Sequence, residues 1–178
     1  MINKIILFIM ITPLIAKDIY YTRSGVVSFF SSTPIEDIKA DNEQATCVLD
    51  METGNVSFRI PIRGFIFKNS LMQEHFNENY LESDKFPYAS FKGQLVDWND
   101  INLSKDYQSI EIKGMMKIHG ISKKITEIGK IALRDNRVIG NSIFKIIVAD
   151  YGIEIPKLVR ENIAKVMEIN INLNLKKK

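Results

Sequence analysis

The 178-residue sequence holds one cysteine, Cys47, and two histidines, His75 and His119. A lone cysteine closes no disulfide within its own chain. Its setting, "ATCVLD", alternates like a strand, so Cys47 reads as a small buried hydrophobe. Metal centres need clustered His, Cys and carboxylate groups. Here Glu74 and His75 would point to different faces of a helix, and Glu78 stops one position short of an i, i+4 partner for His75. The nine glycines are scattered, and no GxGxxG, GxxxxGK[ST] or GxSxG stretch occurs. Charge of one sign is also missing. The net charge is +3, and the single basic run, Lys176–Lys178, reads as a solvated tail. These absences leave no specific catalytic motif, no metal or cofactor to expect, and no nucleic-acid partner.

Long apolar runs are confined to the start. "MINKIILFIMITPLIAKD" places Lys4 before an apolar run from Ile5 to Met10 that continues to Ile15, with Pro13 and then the small Ala16. That is the layout of a secretory signal peptide, and the run is shorter than the roughly 20 residues that span a bilayer. Cleavage is expected near Ala16, giving a signal peptide over 1–16 and one exported domain over 17–178, periplasmic or secreted. No cysteine stands near Ala16 to carry a lipid anchor.

What fills the remainder is a period of two. In "VMEININLNLKKK", Met167, Ile169, Ile171, Leu173 and Leu175 alternate with Glu168, Asn170, Asn172 and Asn174, the pattern of a half-buried strand. Val56, Phe58, Ile60 and Ile62 repeat it, as do Ile110, Ile112, Met116 and Ile118, with Gly114 between them marking a bend or a close approach. Further strands are expected at 25–31, 45–50, 89–96, 124–133 and 138–148. In 124–133, Glu127 falls on the same face as Ile125 and Ile131, which leaves the register open. Turn residues separate the strands at 52–55, 119–122 and 135–137. About eight strands at this spacing suit a sandwich or barrel, all-β with short helices.

"STPIEDIKA" predicts a short helix, with Thr33 as N-cap, Pro34 at the first position and Glu36 closing a capping box. A second helix is expected from Ser70 through "LMQEHFNENYL", with Gln73 at the reciprocal position, and a third short turn near Pro156. His119-Gly120 sits where the chain must reverse between two strands, so His119 reads as a turn residue rather than a catalyst. The stretch "IFKIIV", 143–148, is apolar on both faces, and its second face needs a helix, a sheet or another subunit. A barrel interior this rich in Phe and Met can be filled or can hold one small ligand, and the pattern alone favours the filled core.

Four stretches carry a family resemblance: "GVVSFFSSTPIEDIKADN" (25–42), "FRIPIRGFIFKNSLMQEHFNENYLESDKFPYASFKG" (58–93), "IKGMMKIHGISKKI" (112–125) and "DYGIEIPKLVRENIAKVMEININ" (150–172). In order and spacing the chain resembles the YceI-like family of exported lipid- and polyisoprenoid-binding proteins, in a form like that of the Bacteroidetes-type subgroup. The resemblance implies an eight-stranded antiparallel, lipocalin-like barrel around an elongated apolar cavity. It implies no catalytic residues. The partner it implies is a polyisoprenoid, a quinone or another long-chain lipid, with a homodimer and transient membrane contact as further expectations.

Alternation supplies the candidate lining: Phe58, Ile60, Phe91, Leu95, Met116, Ile118, Phe144, Ile146, Ile169 and Ile171, joined by Phe65 and Phe67 if Gly64 shifts the register by one. Arg59, Arg63 and Tyr88 are candidate mouth residues, with solvated surface as the plainer reading. Two other functions stay open at this point. One is an enzyme using the cavity, with His119, His75 or a carboxylate as its acid–base group. The other is a filled barrel acting through the 143–148 strand.

Overall fold

The computed structural model describes residues 18–178, so the expected signal peptide, 1–16, lies outside the described residues. Long antiparallel strands dominate: β1 Ile19–Ser32, β2 Asp37–Asp50, β3 Asn55–Pro61, β4 Ile66–Phe67, β5 Tyr88–Leu95, β6 Gln108–Ile118, β7 Ile121–Arg134, β8 Arg137–Ile147 and β9 Val166–Lys177. They hydrogen-bond in the order β1-β9-β8-β7-β6-β5-β3-β2, and β2 returns to β1, closing the sheet on itself. The two-residue β4 pairs with β2 on the edge that β3 also uses, so the closed wall has eight staves. Closure gives every one of the eight staves a partner on both sides for at least part of its length.

Alternation sets the register. Where one face is buried, a slip of one residue would put every core side chain into water. Thus Phe58 pairs with Phe91, and Phe91 with Met116, all three facing in. Phe144 pairs with Ile169, and Phe29 with Ile169 from the other side. His119 and Gly120 have φ of 47° and 79°, the two positive values that a tight hairpin turn between twisted strands requires. The β7–β8 turn repeats this with Asp135 at 49° and Asn136 at 57°.

Residues 33–40 depart from expectation. They form no helix; β2 starts at Asp37 and pairs with β1 along its length. The cap chemistry is present: the Thr33 hydroxyl accepts from the Ile35 and Glu36 amides at 3.3 and 3.1 Å, and Thr33 N donates to Glu36 O. It closes a single turn, because Ile38, Ala40 and Asn42 continue the inward face of a fourteen-residue strand. Extended pairing therefore wins over a helix too short to sustain itself.

The second helix is present, with its cap one residue earlier than expected. The Asn69 side chain accepts from the Leu71 and Met72 amides, α1 covers Ser70–His75, and a π-helical turn continues over Phe76–Tyr80. A 3-10 turn at Lys157–Val159 matches the third expectation. The helix and the 148–163 segment close one end of the barrel. The other end is closed by Trp98, whose indole N–H donates to Met51 O at 2.7 Å.

Candidate functional site

The barrel interior contains a cavity of about 520 Å³, within the range of pockets that enclose a small ligand. Every stave contributes to it. The structure brings all twelve residues expected from alternation to its wall: Phe58, Ile60, Phe65, Phe67, Phe91, Leu95, Met116, Ile118, Phe144, Ile146, Ile169 and Ile171. Phe65 and Phe67 arrive there because the 3-10 turn Ile62–Gly64 resets the register after β3. Further lining comes from positions that the same alternation marks but that were not singled out, among them Val56, Ile112, Ile125, Met167 and Leu173.

Four phenylalanines roof the cavity at the helical end. Phe76, from the π-turn, stacks on Phe29 at 5.4 Å and meets Phe65 and Phe67 at 5.5 and 5.0 Å. Such tilted and offset pairs each add about 0.5–1.5 kcal/mol beyond their burial, which fixes the short helix over the opening. Two kinds of inward glycine shape the space below. Gly93 and Gly114 stand opposite each other, and the Phe91 ring covers both. Of the bend or close approach expected at Gly114, the structure shows the close approach. Gly140 is different: a Cβ there would have nothing nearer than Leu173 at 3.9 Å, so its missing side chain is open cavity.

The other sequence candidates lie outside the cavity or, for His75, at its rim. Arg59 rests on the Tyr88 ring at 3.4 Å, and Arg63 pairs with Asp84; both arginines face solvent, so these three are surface. His119 is held on both sides, Nε2 2.9 Å from the Glu82 carboxylate and Nδ1 3.1 Å from Tyr151 O, with the Phe86 ring edge-on to it. It staples the β6–β7 turn to two loops. His75 sits exposed at the cavity's outer rim. Among the described residues no group of three potential metal ligands comes together.

Glu82 is drawn on by Lys85 as well as by His119. Hydrogen bonds from Lys85, then His119, hold its carboxyl below the ordinary value of 4.5. A depressed carboxyl adds stability above its unfolded pKa and loses it as pH falls through the folded one. Glu82→Gln is therefore expected to flatten the fall in stability below pH 4.5, read as urea midpoints across an acid pH series. Parallel wild-type and variant curves there would contradict it.

Cys47 lies on the inward face of β2, 1% exposed, and burial pushes its thiol up to about 12. Thiolate is the reactive form. Native protein is expected to resist iodoacetamide at neutral pH for hours and to react fully once unfolded in urea, followed by intact mass. Fast labelling of the native fold would show that the wall opens at β2.

The geometry has counterparts among known proteins. The model of the YceI-like domain matches residues 23–175. The chain belongs to the YceI-like family. Solved structures agree with this YceI-like fold. The polyisoprenoid binding domain from Saccharophagus degradans implicated in plant cell wall breakdown superposes with a TM-score of 0.78 at 12% identity, covering 92% of this chain and 100% of that one. Burkholderia cenocepacia BcnA gives 0.70 at 13%, over 84% of this chain and 95% of that one. The Campylobacter jejuni YCEI protein gives 0.51 at 14%, over 99% and 93%. At these identities the likeness is one of fold. No curated protein matches the sequence.

Proposed function

We propose that this YceI-like domain is an exported carrier that holds the long apolar tail of a polyisoprenoid, quinone or similar lipid inside its barrel, without covalent chemistry. The observation that carries the proposal is the cavity of about 520 Å³, walled mainly by Phe, Ile, Leu, Val and Met. Burying a chain there is worth about 0.8 kcal/mol per methylene, and a preformed apolar site needs few polar contacts to hold it. That one structural neighbour is a polyisoprenoid binding domain supports the same reading. The enzyme reading loses His119 as its acid–base group, because that ring is tied to Glu82 and Tyr151 away from the cavity.

The test is extraction of the natively purified protein with organic solvent, followed by mass spectrometry. A long-chain lipid that co-purifies, and that is absent after refolding from denaturant, is the expected result. An empty native protein that also fails to bind a long-chain alcohol or a quinone would overturn the reading. Export is checked separately: the protein recovered outside the cytoplasm should begin near Lys17.

A further inference from the structure

The wall between β7 and β8 is incomplete. β7 runs from Ile121 to Arg134 and β8 from Arg137 to Ile147, yet they pair only between Gly129–Ser142 and Arg134–Arg137. Beyond Ser142 the two backbones part, which leaves a slit in the side of the barrel. One end of the slit is clasped by the Ser142 hydroxyl, which donates to Ile128 O at 2.7 Å. The other is spanned by the Lys123–Asp150 ion pair at 3.1 Å. At the clasp, Ile128 and Ile143 stand on the outer face, 55% and 61% exposed.

Just inside this slit the alternation of β7 sets Glu127 into the cavity wall between Ile125 and Gly129. Two carboxylates line the cavity, and they are treated differently. Glu36, near the helical end, is met by the Asn162 amide at 3.4 Å. Glu127 has no hydrogen-bond or ion-pair partner among the described residues. Burial holds its carboxyl above the ordinary range. The phenol of the buried Tyr151 is raised by burial, then by Asp150 and by Glu127 itself. Lys130, three residues along and opposite Asn141, is exposed, and both of these border the cavity at its outer side without pairing with Glu127. A half-buried carboxylate without a partner is costly in an otherwise apolar wall. An apolar residue of similar size would serve a filled barrel better.

We propose that the β7–β8 slit receives the head of the bound lipid, and that Glu127 is the specificity-determining residue there. It accepts a hydrogen bond from an uncharged head carrying a hydroxyl or amide group and turns away a phosphate or carboxylate head. The inference rests on the reading of the cavity as a lipid-tail site. The apolar tail lies along the barrel interior, the head stays at the slit within reach of water, and the exposed Ile128 and Ile143 give the chain an apolar threshold to cross. A hydrogen bond to an ionised group is stronger than a neutral one, whereas a like charge brought against it is repelled.

The experiment compares a polyprenol with its phosphate monoester of the same chain length, each titrated into wild type, Glu127→Gln and Glu127→Lys by displacement of a fluorescent long-chain alcohol. Wild type is expected to prefer the alcohol by about tenfold or more, Glu127→Gln to lose most of that preference, and Glu127→Lys to reverse it. A polyprenol with a photoreactive diazirine beside its hydroxyl should label residues 125–129 and 141–146 of the wild type, mapped by peptide mass spectrometry. An unchanged alcohol-to-phosphate ratio in all three proteins, or labelling confined to 69–80 and 155–163, overturns the head-group assignment and leaves the tail site standing. Tighter wild-type binding of the phosphate also overturns it, by placing Lys130 rather than Glu127 at the head. If neither ligand binds wild type, the carrier reading itself fails and this inference with it.

Discussion

Gly140→Leu is expected to empty the barrel of its ligand while leaving the barrel intact. Gly140 lies on the inward face of β8, and its absent side chain is part of the cavity. A Cβ built there lies 3.9 Å from Leu173, ordinary contact with no clash. The three further carbons of leucine then occupy space where a tail would run. Loss of three or four methylenes of bound chain, at about 0.8 kcal/mol each, weakens affinity about a hundredfold. Stability should hold or rise, because glycine is the poorer strand residue and the new side chain gains apolar contacts. The comparison is Lys145→Leu, on the outward face of the same strand, which should bind as wild type. Displacement titration and thermal unfolding read the two effects separately. If Gly140→Leu binds as tightly as wild type with an unchanged melting temperature, the tail does not pass β8.

Much of this cavity was legible in the sequence, because a barrel stave is a half-buried strand and a half-buried strand alternates. Phe58, Met116, Phe144 and Ile169 were assigned inward from their neighbours alone, and the closed sheet puts them there. Phe65 and Phe67 needed more. Their inward direction depends on the turn at Ile62–Gly64, which a strict period of two does not contain. Thr33 misled because a capping box and a hairpin turn use the same first hydrogen bonds, and the outcome was decided by β1 offering a full-length partner. Glu127 was visible as a misfit, an acid on the face of Ile125 and Ile131. Its meaning was not visible, since where β7 and β8 stop pairing is set by how the whole wall closes. The two-faced stretch 143–148 has the same explanation: Phe144 and Val148 are buried, while Ile143 and Ile147 stand on the outer face beside the slit.

The second large effect concerns the opposite wall. Gly93→Ala and Gly114→Ala are each expected to destabilise the fold by about 2–3 kcal/mol, at the upper end of what overpacking a well-filled site costs. The two glycines face one another across β5 and β6. A Cβ at Gly93 would lie 2.2 Å from Lys113 O and 2.5 Å from the Phe91 ring, and one at Gly114 would lie 2.4 Å from Lys92 O and 2.6 Å from the same ring. Backbone atoms cannot swing aside as a side chain does, so the strands themselves must separate. Once they have done so for one methyl, the second meets a relaxed wall, and the double variant should lose less than the sum of the single losses. Phe91→Leu in the Gly114→Ala background removes the ring contact and leaves the carbonyl contact, so it should recover only part of the loss. Urea unfolding of the three variants and the double mutant checks all of this. Single losses below about 0.5 kcal/mol, the scale of an ordinary surface substitution, would show that β5 and β6 are not so closely apposed. The contrast with Gly140 then carries the functional point. Glycine on one side of this barrel lets an aromatic ring and two backbones meet, and on the other side it leaves room for a guest.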